Sequence, residues 1–208
     1  MIERIGRRTV AAVKTVGRFG HFMGDLARAV PDVDVWGRLT LVQLRRVGVD
    51  SLPVALFIAA FTGVVLALQA SYTFRNTVPL YFVGTLVGKT MMLELGPVLA
   101  GTAMFPIIVA LAIVTGILTG WIASLALLDL TTPEFIKGLK LFYRFKDTWF
   151  GLFKSATFGF TITLVGCVVG LGTRGGAEGV GLSTTRAVVY SAVLLLVLDA
   201  FWALVLLR

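Results

Sequence analysis

The segment Ser51–Ala70, SLPVALFIAAFTGVVLALQA, contains no charged side chain. Twenty residues of α-helix rise about 30 Å, which is the thickness of the hydrocarbon core of a bilayer. The segment therefore predicts a helix that spans a membrane. Because backbone polar groups inside a bilayer must be satisfied within their own segment, the predicted fold class is an all-α, polytopic membrane helical bundle.

The composition of the 208-residue chain agrees with this fold class. Hydrophobic residues make up 57% and charged residues 14%, whereas soluble chains are about 45–50% apolar and about 25% charged. Further apolar stretches with few or no charges are 76–94, 95–128, 155–173 and 187–207. The run 95–128 is too long for one untilted span, and Pro97 and Pro106 are its expected breaks. We therefore expect four or five spans in a transmembrane domain of residues 51–208.

The first fifty residues are basic and amphipathic. Apolar residues recur every three or four positions as far as Val30, and basic residues form a second stripe at the same spacing. This pattern is typical of a helix that lies at the membrane interface, and Pro31 is expected to end it. Residues 1–50 are thus predicted to form an interfacial region. Under the positive-inside rule the N-terminus lies in the cytoplasm, and the chain is a multi-pass protein of the cytoplasmic membrane.

The connection 129–154 is also basic, and its apolar residues at helical spacing predict a second interfacial helix. By charge alone it lies on the same side as the N-terminus, which requires an even number of crossings between residues 51 and 128. Three crossings would place this connection on the opposite side.

Residues that support catalysis or cofactor binding are scarce. The chain has one histidine, His21, and one cysteine, Cys167, so no catalytic triad, internal disulfide or metal site is expected. The stretch 84–90 has the residue types of a phosphate-binding loop, but its spacing is one residue short and it lies in an apolar helical segment. We therefore expect no enzyme activity, no cofactor and no nucleotide site. Because the basic residues flank apolar segments, no nucleic-acid partner is expected either.

Charged residues inside apolar segments are informative, because each costs roughly 2.5–3.5 kcal/mol at mid-membrane on insertion scales. Asp199 lies well inside the last apolar stretch. It either pairs with a hydroxyl or basic group on a neighbouring helix or lines a pathway. Glu94 and Lys89 mark either a helix end at the interface or the polar rim of a cavity.

Glycines occur at positions that suit helix packing and turns. Three pairs at four-residue spacing predict close contacts between helices; they are Gly84 and Gly88, Gly116 and Gly120, and Gly166 and Gly170. The stretch 172–181 contains five glycines and predicts a tight loop.

The C-terminal part of the chain resembles a known family. The loop TRGGAEGVG at 173–181, the continuation STTRAVV at 183–189 and Asp199 are similar to the C-terminal signature of the MlaE permease family. Further similar segments are GVVLALQ at 63–69, ELGPVL at 94–99 and FGLFKS at 150–155. Together they extend the resemblance over most of residues 45–205.

The resemblance implies a homodimeric permease subunit of an Mce-type ABC transporter, which moves phospholipid or a related lipid. The implied partners are a separate ATP-binding subunit that hydrolyses the ATP, an Mce-domain lipid-binding protein, a second copy of the chain and membrane lipids. The family places 129–154 on the periplasmic side and the glycine-rich loop in the cytoplasm. We expect Gln69 and Glu94 to line a cavity and contact the lipid headgroup. The residues expected to hold the bundle are Asp199, Gly175, Gly176, Gly179, Gly181, Thr184 and Thr185.

The chain departs from the family pattern after Pro97. Family members continue with several tens of residues that include a cytoplasmic helix docking into the ATPase, whereas here residues 98–101 join the two sides directly. Either this segment is deleted or the sequence omits it. In addition, Leu93 stands where the family often has a basic residue. The alternative function is a non-transporting scaffold or remnant permease that binds the same partners. A third candidate is an ATP-independent secondary transporter, which internal repeats or a chain of buried ionisable residues would indicate.

Overall fold

The computed structural model describes residues 20–74, 78–100, 106–141 and 143–207, together with Val10 and Gly17. In this part of the chain all regular secondary structure is helical, which confirms the predicted fold class. The helices are α1 (20–29), α2 (Val33–Gln43), α3 (Asp50–Phe74), α4 (Phe82–Thr90), α5 (Gly96–Ala100), α6 (Pro106–Leu127), α7 (Thr132–Leu141), α8 (Phe145–Leu171) and α9 (Gly176–Leu207). Two π-helical turns, Leu44–Val49 and Met91–Leu95, join α2 to α3 and α4 to α5.

Four of the described helices, α3, α6, α8 and α9, are long and apolar enough to cross a membrane. A fifth segment, 82–100, consists of α4, a π-helical turn and α5. Of the two predicted breaks in the long apolar run, Pro106 is the first residue of α6, whereas Pro97 lies within α5, just after the π-helical turn Met91–Leu95. Most of the predicted N-terminal amphipathic helix lies outside the described residues; its described part is α1, which ends before Pro31.

Helix α3 packs on α6 through small side chains. Its buried residues recur mainly at four-residue spacing; they are Ala55, Ala59, Gly63, Ala67, Ala70 and Ser71. A Cβ on Gly63 would lie 1.9 Å from the Gly116 carbonyl oxygen, so only glycine allows this approach. The Thr119 hydroxyl also donates to the Ala60 carbonyl across the interface at 2.9 Å.

Helices α3 and α6 run in the same direction. The Cβ position of Gly116 lies 3.2 Å from the Ala59 carbonyl, and that of Gly120, one turn later, lies 3.0 Å from the Gly63 carbonyl. Residues later in α6 therefore contact residues later in α3, as in two parallel helices. The start of α6 lies at the same end of the bundle as the start of α3.

The segment 82–100 runs in the opposite direction between these two helices. Its Val87 packs against Gly120, and its Met91 packs against Gly116. Three segments therefore traverse the bundle between residues 51 and 128. Described residues 129–141 therefore lie at the end of the bundle opposite the start of α3, which corresponds to the alternative of three crossings. Segment 82–100 can traverse the bundle although Lys89 and Glu94 weaken 76–94 as a span, because both residues pair with side chains of α8.

The predicted second interfacial helix is α7, which packs against the first turns of α4. Phe135 is buried, and the Cβ positions of Gly84 and Gly138 face the carbonyls of Phe135 and Tyr81 at 2.3 and 1.7 Å. The connection is shorter than the predicted 129–154, because α8 begins at Phe145. The charges of α8 suggested a polar connection, but the two innermost of them are buried and paired.

The glycine-rich loop is also shorter than predicted. Residues 172–175 form the turn between α8 and α9, and α9 begins at Gly176. Gly175 and Gly176 have φ angles of 96° and 62°, a backbone conformation that glycine adopts without strain. These two residues suffice to reverse the chain, so the remaining predicted loop residues, 177–181, lie in the first turns of α9.

Two of the three predicted glycine pairs are packing positions within the chain. Gly84 and Gly88 lie against α7, and Gly116 and Gly120 lie against α3 and the segment 82–100. The third pair, Gly166 and Gly170, faces open space: a Cβ at either position meets nothing within 4 Å.

Candidate functional site

A lysine with no exposed side-chain surface lies where α8 meets the π-helical turn 91–95 and α9. The Lys154 Nζ is 2.7 Å from Glu94 Oε2 and 2.6 Å from Asp199 Oδ1, and it donates a hydrogen bond to the Leu93 carbonyl at 2.9 Å. We refer to Glu94, Lys154 and Asp199 as the charge cluster. The cluster joins the π-helical turn before α5 to α8 and α9.

The sequence of the segment 82–100 explains why a carbonyl is available to Lys154. In an α-helix the amide of residue 97 would donate to the carbonyl of residue 93, but Pro97 has no amide hydrogen. The Leu93 carbonyl therefore lacks its usual α-helical donor, and the lysine ammonium donates to it instead. The same π-helical turn presents Glu94 toward α8.

Helix α9 is fixed against α8 one turn from the charge cluster. The indole Nε1 of Trp202 donates to the Thr157 hydroxyl at 2.9 Å, and that hydroxyl donates to the Lys154 carbonyl at 2.7 Å. The Trp202 ring also packs edge-on against Phe150, with the ring centroids 5.3 Å apart. Because Asp199 and Trp202 are three residues apart, they share one face of α9. The indole contacts therefore bring Asp199 to the lysine.

A second ion pair joins segment 82–100 to α8, nearer the α7 end of the bundle. Lys89 of α4 pairs with Asp147 of α8, whose side chain is also buried. Between the two ion pairs the backbones touch, because a Cβ on Gly151 would lie 2.3 Å from the Met92 carbonyl oxygen. Segment 82–100 is therefore bound to α8 over about two helical turns.

The two carboxylates of the charge cluster are more open than its lysine. The Glu94 side chain is 45% exposed and that of Asp199 is 39% exposed, whereas that of Lys154 is 0% exposed. The contact to Asp199 is an ion pair without the geometry of a directed hydrogen bond. With two carboxylates and one ammonium, the formal charge of the cluster is −1. Its accessible groups are hydrogen-bond acceptors, which suits a ligand that donates hydrogen bonds or carries positive charge.

The structure brings Glu94 and Asp199 together but leaves Gln69 apart from them. Gln69 is exposed on α3 and follows Gly63, toward the α7 end of the bundle. Glu94 lies level with the residues of α3 that precede Gly63. The antiparallel register places these two residues at least about 10 Å apart along the helix axis. The pairing of Asp199 with a lysine agrees with the first of the two interpretations of this residue. The substrate-contacting roles of Gln69 and Glu94 stay predictions.

The predicted structural residues of the C-terminal signature lie at the other end of α9. Gly175 and Gly176 form the turn, and a Cβ on Gly179 would lie 1.9 Å from the Arg174 carbonyl oxygen. At Gly181 a Cβ meets nothing within 4 Å. The hydroxyls of Thr184 and Thr185 donate to carbonyls of their own helix, four residues back.

An open groove of about 360 Å³ lies between α8 and α9 at this end. Its lining is mainly small and apolar and includes Gly166, Gly170, Val180, Ser183, Thr184 and Ala187. Most side chains of α9 are likewise exposed. Within the described residues, no three His, Cys, Asp or Glu side chains are grouped as for a metal ion.

The sequence pattern did not indicate Lys154, the residue on which the charge cluster depends. Lys154 is the last charged residue before a charge-free stretch, so the pattern places it at the end of a polar connection. A usable signal was that Glu94 and Asp199 both needed a buried cation within the bundle.

Comparison with known proteins identifies related sequences. A family model described as Permease MlaE matches residues 40–103 and 98–205. A "Probable ABC transporter permease protein" of Rickettsia bellii is 27% identical, over 93% of this chain and 92% of the relative. A protein of Rickettsia felis with the same name is 28% identical over the same shares. A "Probable ABC transporter permease protein" of Synechocystis is 29% identical, over 79% of this chain and 80% of the relative.

The comparisons also bear on the expected internal gap. The alignment with the Rickettsia bellii protein extends over 239 residues, which exceeds the 208 residues of this chain. The relative therefore contains residues that have no counterpart here. The two ranges matched by the family model meet at residues 98–103, where the sequence departs from the family pattern.

Proposed function

This chain belongs to the MlaE permease family, and on that basis we propose that it is the membrane subunit of an ABC transporter for phospholipid or a related lipid. The observation that carries this proposal is the match of the family model to 40–103 and 98–205. Four apolar helices make the chain a multi-pass membrane protein. We place it in the cytoplasmic membrane with its N-terminus in the cytoplasm.

The proposed complex contains other proteins. A separate ATP-binding subunit supplies the energy, and an Mce-domain protein exchanges lipid with the permease. A second copy of the chain completes the lipid cavity. The exposed surface of α9 and the open pair Gly166 and Gly170 support this last assignment, because small residues facing open space allow another helix to approach closely.

We propose that the lipid headgroup meets the charge cluster while the acyl chains lie along the apolar side chains of α9. The open carboxylates of Glu94 and Asp199 accept hydrogen bonds from the headgroup, and the enclosed Lys154 holds them in position. Because the formal charge of the cluster is −1, the ammonium group of a zwitterionic phospholipid fits it better than a headgroup with net negative charge. Gln69 would contact the lipid farther toward the α7 end.

Transport by the reconstituted complex tests this function. Proteoliposomes containing the permease, its ATPase and its Mce partner should move a fluorescent phosphatidylethanolamine in an ATP-dependent way. Glu94→Gln should lower the initial rate at least tenfold, since it removes one of the two accepting carboxylates. Glu178→Gln, an exposed carboxylate in the first turn of α9, is the matched control and should keep the wild-type rate. Wild-type transport by Glu94→Gln would remove this residue from the site.

The second candidate function is a non-transporting scaffold that binds the same partners. It is favoured by the short connection at residues 98–103. Family members have additional residues at this point, which include the helix that docks into the ATPase. Co-purification separates the two candidates. A captured ATPase whose turnover rises with added phospholipid supports the permease, whereas a stable chain that never retains an ATPase supports the scaffold.

A further inference from the structure

Four basic side chains lie around the corner between α7 and α8, at the end of the bundle opposite the start of α3. We refer to Lys137, Lys140, Arg144 and Lys146 as the basic edge; all four are exposed. No ion pair joins them to a carboxylate in the part of the chain that the structure describes. Among the nearest acidic residues in sequence, Asp147 pairs with Lys89, and Glu134 accepts two hydrogen bonds from Thr131. Lys137 has contacts within the chain: its Nζ lies 4.8 Å from the centre of the Tyr81 ring, and its charge helps to lower the pKa of Glu134.

The corner that carries the basic edge is held by specific contacts. The Tyr143 hydroxyl and the Thr148 hydroxyl are hydrogen-bonded at 3.1 Å. The Tyr143 amide donates to the Lys140 carbonyl, and the Arg144 amide donates to the Asp147 carboxylate, both at 3.3 Å. The backbone positions of the cations are therefore fixed relative to α8.

A stripe of exposed aromatic rings begins at the same corner and follows α8. Phe145, Trp149 and Phe153 are 69%, 52% and 60% exposed. Adjacent ring centroids lie 6.3 and 6.2 Å apart, so the rings form a continuous surface. At four-residue spacing the stripe extends about 12 Å along the helix axis. It lies on a different face of α8 from the buried Asp147 and Lys154.

We propose that the basic edge binds the headgroups of anionic phospholipids in the leaflet at this end of the bundle, with the aromatic stripe inserted among the acyl chains. Cations beside apolar aromatic rings match the change from headgroup to hydrocarbon in a bilayer, where tryptophan side chains concentrate. An acidic protein would complement the charge of the edge but would leave the aromatic stripe uncovered. This inference concerns a surface distinct from the charge cluster and does not depend on the proposed transport activity.

The attraction should be measurable as lipid selectivity. A lysine or arginine near an anionic membrane surface contributes roughly a fivefold preference for that surface. The preference should decline as ionic strength rises, since the Debye length shrinks from about 10 Å at 0.1 M to about 3 Å at 1 M. A preference for phosphatidylglycerol over phosphatidylcholine of at least fivefold is therefore expected next to the edge.

Trp149 is a built-in reporter for this test. The full chain, with any co-purified partners, is reconstituted into mixed bilayers in which either phosphatidylglycerol or phosphatidylcholine carries brominated acyl chains, which quench tryptophan fluorescence. Subtracting the signal of Trp149→Phe isolates this residue. The test variant carries K137Q, K140Q, R144Q and K146Q. The matched control carries four substitutions before α3, namely R28Q, R38Q, R45Q and R46Q.

The expected result is stronger quenching of Trp149 by brominated phosphatidylglycerol in the wild type and the control, and equal quenching by both lipids in the test variant. Salt at 1 M should reduce the wild-type preference. Equal quenching in the wild type would overturn the proposal, as would a preference that survives the four glutamines. If the basic edge instead retains an acidic protein in detergent and shows no lipid selectivity, the surface is a protein-docking site and the proposal is wrong.

Discussion

Replacing Lys154 with methionine tests whether the charge cluster stabilises the bundle. The substitution keeps the length of the side chain but removes an ammonium that pairs with two carboxylates and one carbonyl. Breaking a buried ion pair by removing one partner costs about 3–5 kcal/mol. We expect a loss of about 3 kcal/mol in the free energy of unfolding, because the partly exposed Glu94 and Asp199 regain some solvation.

The assay is unfolding of the purified chain in mild detergent, followed by circular dichroism during titration with a denaturing detergent. Lys146→Met, at an exposed lysine, is the matched control and should change the free energy of unfolding by less than about 0.5 kcal/mol. The triple variant K154M/E94Q/D199N should be more stable than K154M alone, since no unpaired carboxylate is left. A K154M variant as stable as the control, or a triple variant that loses the full sum of the single effects, would refute the reasoning.

Two further predictions concern packing and capping. Gly63→Ala should destabilise the bundle by about 3 kcal/mol, because its Cβ would overlap the backbone of Gly116; Gly24→Ala in α1, where a Cβ meets nothing within 4 Å, should not, and thermal unfolding of the two variants compares them directly. Hydrogen bonds from the backbone amide and the hydroxyl of Thr131 hold the pKa of Glu134 below its ordinary value of 4.5. Thr131→Ala removes the hydroxyl and keeps the backbone donor, so it should raise this pKa part of the way toward 4.5 in a carbon-13 NMR titration of the glutamate carboxyls. In the wild type, the stability contributed by ionised Glu134 is present above pH 4.5 and is lost as pH falls through the lowered pKa; an unchanged pKa in the variant would exclude a contribution from the Thr131 hydroxyl.

The sequence alone predicted which parts of the chain form the bundle. A charge-free segment such as 51–70 has one stable solution in a bilayer, so α3 followed directly from composition and length. The boundaries were less predictable where charges are paired. Lys89, Asp147 and Lys154 each suggested polar surface, and all three lie within contacts between helices.

The candidate site was predictable only in part for the same physical reason. Glu94 and Asp199 were identified because an isolated charge in an apolar segment is costly. Their shared partner was not, because the pairing joins positions 45 and 60 residues apart in sequence to the same ammonium, and helical periodicity carries no information about such contacts. Glycine spacing had the same limit: it identified Gly116 and Gly166 as equivalent, yet only the first is enclosed by neighbouring helices.

The parallel course of α3 and α6 has a consequence for how chains of this kind vary in length. Because α6 starts at the same end of the bundle as α3, a segment inserted just before α6 would leave the bundle and return to it at that one end. Gaining or losing such an appendage reverses nothing downstream, and the sidedness of every later helix is preserved. The fold can therefore tolerate a modular extension at this junction that would be topologically forbidden in the middle of any of its long helices.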